Sequence, residues 1–522
     1  MKKTKKVKIE RLFGRQYLSD KPCWDDPKHF QGAVTLITAG TGSGKSTAML
    51  NIAGDEDYLG KNEKMLFMTT RRADAAKLRA KVEKEGLTYK VDVKTVQSFE
   101  EAISVYDMDG AAELARYKIV VCDEAHYWTT DTSFSESAIL SYESVKAFAD
   151  TIEKTDKMLF LISATPERLS EIFPVKWCVN GDIYTDHIRN VIFVPDEDYI
   201  MQAAMNIGKA IENGSKGIIF VRKKTDMEKI LTEIGVQAER VETYTAEKRP
   251  MCDEYGEFKI PDGKSIIIAT SVLAFGVDFW DDGIQFVMSN ECDPVLVVQE
   301  LGRRRCFGEK EVDYYVADFT ADYLNRAYAK YKKFYEDAAL FESEPEKFYG
   351  AGGVWYEGIF RHNRIFRIER HTTVVKMNPT FKSFCMRHSS YSDDISEGNE
   401  NWQNLVMTRL GFKQGTYAPV KPYQDVIAND VKTMLAQMEA TGVLTTDDWK
   451  LLGKALRAKN QTHKGKGTNY KHGDYLSSPK KIDSYIRPYG YKAGEVKKKQ
   501  VDGKRINYYP LIRLNDAERD GE

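Results

Sequence analysis

Long apolar runs are missing from this 522-residue sequence, and none approaches the roughly 18 residues that a membrane-spanning helix needs. The basic stretch at residues 1–12 is without the apolar core of a secretory signal. Paired cysteines are missing as well. The seven cysteines stand at 23, 122, 178, 252, 292, 306 and 385, and no two make a CxxC pair. That argues against a zinc or disulfide framework and for a reducing compartment. Cys122 sits within an apolar strand pattern and reads as a small core hydrophobe. No short repeat and no low-complexity segment is evident. The expectation is a soluble globular protein in the cytoplasm, with no membrane partner.

What is present is ordinary in bulk and uneven in detail. Hydrophobic residues make up 42% and charged residues 30%, a globular composition. The length suits roughly three domains at about 150 residues each. The net charge of −1 hides an asymmetry: residues 450–513 hold 17 Lys/Arg against 4 Asp/Glu. A basic appendage on a mildly acidic body points to a nucleic-acid partner.

Short apolar runs alternate with helical stretches along most of the chain. Residues 33–38, 64–70, 89–99, 117–126 and 157–165 read as strands, followed by a second series at 191–194, 216–223, 238–245, 265–271, 284–290 and 312–319. Buried strands alternating with helices predict an α/β fold with parallel sheets covered on both faces. The two series meet near residues 175–190. The expected division is a basic extension at 1–29, one α/β domain at 30–180, a second at 181–330, a mostly helical accessory region at 331–440, and a basic module at 441–522. In the accessory region Trp355, Tyr356, Phe360 and Phe366 read as packing residues.

Between the first strand and the following helix lie Ala39, Gly40, Thr41, Gly42, Ser43, Gly44, Lys45, Ser46 and Thr47, matching [AG]-x4-G-K-[ST]. Glycines let such a loop take positive φ and bring backbone N–H groups to phosphate oxygens. The helix that follows turns its positive dipole end toward the same anion. Lys45 is expected to reach the β- and γ-phosphates of ATP, and the Ser46 hydroxyl to ligate Mg2+. A phosphate loop of this kind needs a carboxylate at a neighbouring strand end. Asp123 supplies it, 78 residues after Lys45, as the expected Mg2+ partner through the nucleotide. Glu124 is placed to position and polarise the attacking water.

Asp123-Glu124-Ala125-His126 resembles the DExH (DEAH) box of the superfamily 2 helicases and translocases, a family with two RecA-like domains and ATP in the cleft between them. Ser163-Ala164-Thr165 looks like that family's coupling motif, and the box resemblance implies that His126 hydrogen-bonds across the cleft. Residues 269–271, with Thr270, and Gly276-Val277-Asp278 resemble the motif in which Thr touches the nucleic-acid backbone and Asp faces the nucleotide. Gln299 through Arg305 resembles Q-x-x-G-R-x-x-R, the source of arginine fingers, but its last position is Cys306. The resemblance therefore leaves Arg303 or Arg305 to act, and it spans about residues 30–330. Thr70 and Arg71, Gln97 and Ser98, and Arg222 resemble the family's strand-contacting positions. Contacts of these types to phosphate position a strand without specifying its sequence.

The fourth box residue and the Val-Gln-Ser-Phe segment look closer to DNA-acting members, including phage and herpesvirus origin-binding helicases, than to DEAD-box RNA helicases. That resemblance implies a replication or recombination role on DNA, other replication proteins as partners, and the host cytoplasm if the chain is phage-encoded. An RNA helicase and a protein-remodelling ATPase are the alternatives. In the tail, residues 445–459 form a well-capped helix pattern. Residues 494–514 read as two strands around an Asp-Gly turn. Helices followed by a basic hairpin suggest a winged-helix module, α+β in class, with Lys497, Lys498, Lys499, Lys504 and Arg505 on the wing.

Overall fold

The computed structural model describes residues 5–6, 18–20, 22–40, 43–130, 132, 135, 137–181, 185, 187–248, 250, 257–273, 277–304, 311–344, 365–368, 375–412, 420–441, 446–460, 479–501 and 504–514. Thr41, Gly42, Gly276, Arg305, Cys306, Trp355, Tyr356, Phe360 and the Asp-Gly turn at 502–503 lie outside them.

The apolar runs of the first series pair into one parallel sheet. From edge to edge its strands are Lys5–Lys6, Val175–Asn180, Ala33–Thr38, Met158–Ser163, Ile119–Cys122, Met65–Thr69 and Val91–Thr95. Ile119–Cys122 and Met158–Ser163 are buried along their whole length, which explains why their sequences do not alternate polar and apolar. Helix Lys45–Gly54 packs Met49, Leu50 and Ile52 on one face, with Ile37, Phe67 and Val121. Val96, Phe99, Val145 and Phe148 cover the other face, over Leu36, Leu66 and Val120. Cys122 belongs to this second core, and burial pushes its thiol pKa well up.

The strand expected at 89–99 ends early. It spans Val91–Thr95, where the Thr95 hydroxyl accepts the Ser98 N–H at 3.1 Å and starts helix Val96–Tyr106. A β-branched run cannot hold a strand once a side-chain oxygen caps the following turn.

The second series forms another parallel sheet, ordered Val241–Tyr244, Ile266–Ala269, Lys216–Phe220, Ile284–Ser289, Val312–Asp318 and Ile188–Pro195. Beyond it run the helices Ala321–Ser343, Pro379–Ser396, Trp402–Leu410 and Tyr423–Thr441. Phe366 is buried with Phe381, Phe384 and Cys385 in a small separate core.

Helix Thr446–Asn460 is followed by helix Pro479–Ile486, and strand Tyr491–Ala493 pairs antiparallel with Leu511–Arg513. Between these strands Lys497–Val501 pairs antiparallel with Lys504–Tyr508, Val501 opposite Lys504. The core of this tail is continuous with that of the second sheet: Trp449, Leu452, Leu456, Ile482 and Ile486 share one apolar cluster with Ile207, Ile218 and Val431. Removing the tail from residue 445 onward would therefore strip a buried Trp from the second domain, a loss of about 3–5 kcal/mol for that side chain alone. Among the described residues no helix is long and apolar enough to cross a membrane.

Candidate nucleotide site at the cleft between two domains

Strand Ala33–Thr38 delivers the phosphate loop to the carboxyl end of the first sheet. Its last residue, Thr38, pairs with Ser163, and the Ala39 N–H donates to the Ser163 carbonyl at 3.4 Å. Gly181 makes room here, since a Cβ on it would lie 2.4 Å from the Ala39 Cβ. Gly44 takes φ +86°, a left-handed value that glycine alone adopts without strain, immediately before helix Lys45–Gly54. The Lys45 ammonium donates to the carbonyls of Ala39 and Gly40 at 2.9 and 2.8 Å. Ser43 is buried, and Ser46 and Thr47 are half-buried on the first helical turn.

Asp123 follows strand Ile119–Cys122, two strands away from the loop with Met158–Ser163 between them. Its N–H donates to the Met68 carbonyl at 2.8 Å and its Oδ1 accepts the Glu124 N–H at 3.0 Å. Burial and the charge of Glu124 push its carboxyl up to about 7, against the pull of Lys45. Glu124 holds φ +53°, a left-handed conformation unusual for a side chain of its size. Such strain persists where the surroundings over-determine a functional residue.

His126 is the hinge of the arrangement. It is buried, with Nδ1 3.0 Å from Ser163 Oγ and 3.2 Å from Glu124 Oε2. A carboxylate only accepts, so Nδ1 carries the proton and Nε2 is left as an acceptor. Gln299 of the second domain supplies the matching donor: its amide Nε2 lies 2.6 Å from His126 Nε2. Ser163 Oγ in turn accepts the Thr165 N–H at 3.0 Å. Glu124, the Ser163–Thr165 segment and the second domain thus meet on one imidazole.

The second domain brings further groups to the cleft. Asp278 Oδ1 stands 3.6 Å from Arg303 Nη1, and its Oδ2 accepts Lys77 Nζ of the first domain at 3.0 Å. The Phe279 N–H donates to the Arg303 carbonyl at 2.9 Å, fixing where the arginine run leaves helix Pro294–Leu301. Arg303 and Arg304 are both buried.

Family-model comparison places residues 32–163 in the Schlafen group 3 DNA/RNA helicase domain. This interval contains the phosphate loop, the DEAH box and the start of the Ser-Ala-Thr segment. Over that interval the chain is similar to a helicase domain.

No curated protein sequence matches the chain. Among solved structures, the Escherichia coli DEAH/RHA helicase HrpB shows 15% identity and a TM-score of 0.39, over 55% of this chain and 40% of its own. Dbp5 of S. cerevisiae, bound to RNA and ADP BeF3, shows 18% identity and a TM-score of 0.40 over 55% and 79%. The DUF1998 helicase MrfA, bound to DNA and AMPPNP, shows 16% and 0.41 over 60% and 49%.

The remaining sequence-named positions of the two α/β domains fall into two groups. Thr70 and Arg71 follow strand Met65–Thr69, and Gln97 and Ser98 are exposed on the first turn after Val91–Thr95. Thr69 and Thr95 are register partners, so these four residues share one sheet end. Thr270 follows Ile266–Ala269 and Arg222 follows Lys216–Phe220, on adjacent strands of the second sheet. The Arg222 guanidinium already stacks on Phe319 and Tyr323, 5.7 and 5.4 Å from the ring centroids. Lys497, Lys498 and Lys499 are exposed on the tail hairpin. Lys504 and Arg505 occupy its second strand.

Sequence reasoning missed three residues on helix Arg72–Lys84 of the first domain. Lys77 reaches Asp278 across the cleft, and Lys81 Nζ donates to the Thr47 hydroxyl at 2.6 Å. Asp74 is the third: burial raises its carboxyl, as do Glu124 and Asp278, while Arg303 and Lys77 lower it. The only sequence signal was an Asp and a Lys at i and i+3, which an ordinary solvated helix also shows.

Proposed function

We propose that the protein hydrolyses ATP in this cleft and converts the cleft's opening and closing into movement along one strand of nucleic acid, DNA in preference to RNA, in replication or recombination. The contact that carries the reading is His126–Gln299 at 2.6 Å, because it ties the state of Glu124 to the position of the second domain. ATP binds with its phosphates in the loop at 39–47, Lys45 on the β- and γ-phosphates. Asp123 and Ser46 are hard oxygen donors, and a buried carboxyl held up to about 7 is one whose charged form a cation would stabilise; the set fits Mg2+. When bound, the ion would neutralise phosphate charge. Glu124 orients the water, and a guanidinium from the second domain meets the charge that develops on the γ-phosphoryl group. Thr70, Arg71, Gln97 and Ser98 on one domain, with Thr270 and Arg222 on the other, lie at sheet ends suited to gripping a strand alternately.

Glu124→Gln keeps shape and removes the carboxylate's charge. Turnover is expected to fall about 10²–10⁴-fold, the usual contribution of a positioned base, with ATP and nucleic-acid binding retained in equilibrium titrations. Turnover near wild type would remove Glu124 from this role.

The hairpin lysines support a strand- or duplex-binding role for the tail. Because the tail's core is shared with the second domain, point changes test this better than deletion. Replacing Lys497, Lys498 and Lys499 with alanine should weaken DNA binding and reduce the steepness of log Kd against log salt by about 0.7–0.9 per lost phosphate contact. An unchanged salt slope would leave the hairpin a solubilising element. A strand-displacement assay run beside the ATPase assay separates a helicase from an ATPase that remodels proteins.

A further inference from the structure

Helix Pro379–Ser396 lies beyond both α/β domains in sequence, yet it engages each of them beside the cleft. Arg387, fully buried, donates from Nη2 to Asp293 Oδ2 at 2.6 Å, and its Nη1 stands 3.8 Å from Glu167 Oε2. Asp293 belongs to the second domain. It caps helix Pro294–Leu301 by accepting the Val295 N–H at 3.0 Å, and that helix carries Gln299 and leads directly to Arg303. Glu167 belongs to the first domain, two residues after Thr165, and its Oε1 accepts Arg409 Nε at 2.6 Å.

Flanking contacts seat the same helix. His388 Nε2 is 3.4 Å from Asp293 Oδ2, Arg168 Nη2 of the first domain donates to Ser390 Oγ at 2.7 Å, and the hydroxyls of Thr132 and Thr380 are 2.9 Å apart. Burial alone would raise the Asp293 carboxyl, but Arg387 and His388 hold it well below the usual range. Buried ion pairs carry a desolvation penalty that apolar packing avoids, so stability alone gives little reason for this one. What it does give is a fixed relation among three elements: the loop after Ser163–Thr165, the cap of the Gln299 helix, and helix Pro379–Ser396.

We infer that Arg387 is a positioning residue for ATP turnover, holding Asp293 and Glu167 together so that cleft closure and the His126–Gln299 contact form as one event. The inference rests on the motor reading above. Arg387 touches no nucleotide-site residue; it acts through the helix that Asp293 caps and the loop that Glu167 follows.

The test is the double variant Arg387→Met/Asp293→Asn in the full chain. Asparagine caps a helix as well as aspartate does, Glu167 keeps Arg409, and neither member of the pair is left charged and alone. The measurements are unfolding temperature, affinity for a fluorescent ATP analogue, and kcat and KM for ATP with oligo(dT) as stimulating strand. Expected are near-wild-type unfolding temperature, nucleotide affinity and KM, with kcat lower by roughly 5–150-fold, the span of typical coupling energies between sites. Arg387→Lys, which keeps the charge but not the forked geometry, should fall between. An unchanged kcat overturns the inference. So does a parallel collapse of unfolding temperature, nucleotide binding and kcat, which marks a purely structural pair. Wild-type protein that turns over no ATP removes the motor reading itself, and this inference with it.

Discussion

Lys45→Ala should lower ATP turnover by about 10²–10³-fold, the usual effect of deleting one preorganised donor to developing charge, with little change in fold. The fold should survive because of what holds the loop. The Lys45 ammonium donates to two loop carbonyls, Ala39 and Gly40. The loop shape rests on Gly44 at φ +86° and on the Ala39–Ser163 backbone bond, neither of which the substitution touches. Circular dichroism and unfolding temperature should match wild type, while phosphate release drops to near background. Retained turnover would mean that phosphate is held elsewhere.

The second large effect is expected at Arg303. Arginine fingers contribute about 10³–10⁵-fold to kcat in phosphoryl transfer, so Arg303→Ala should cost at least about 10³-fold with KM for ATP changed far less. Two observations favour Arg303. Its Nη1 stands 3.6 Å from Asp278, whose other oxygen holds Lys77 of the opposite domain, so it lies on the side of the second domain that faces the nucleotide site. Its carbonyl accepts the Phe279 N–H, which fixes its place at the cleft. Arg304 stands near Tyr314, Asp281 and Asp282 of its own domain, and burial lowers its pKa. Single-turnover hydrolysis separates the chemical step from binding here. If Arg303→Ala hydrolyses at the wild-type rate, the finger is another residue, and Arg305 is the next to test.

Much of this was legible because phosphate chemistry constrains sequence locally. A glycine loop and its Lys-Ser pair are contiguous, and two carboxylates at one strand end are adjacent, so the loop at 39–47 and the pair Asp123–Glu124 each stand out as a short motif. Strand alternation likewise revealed both sheets, since strands buried on two faces are apolar throughout. The early end of Val91–Thr95 was harder, because a single Thr hydroxyl decided it. Lys77, Asp74 and Arg387 were not readable. Each matters through a partner far away in sequence, as Lys77 does with Asp278, and a charged residue on a helix carries no mark of what it will face. The tail showed the same limit: its hairpin was visible from Asp-Gly and the lysines, but not the burial of Trp449 in the second domain's core.

Whether one cleft couples ATP hydrolysis to nucleic acid is tested most directly by steady-state ATP turnover of the full chain, alone and with single-stranded DNA, duplex DNA or single-stranded RNA, beside Lys45→Ala. Turnover should rise with single-stranded nucleic acid, most with DNA, and the Lys45 variant should lack it under every condition. Turnover that is absent, or that no nucleic acid changes, would contradict that coupling.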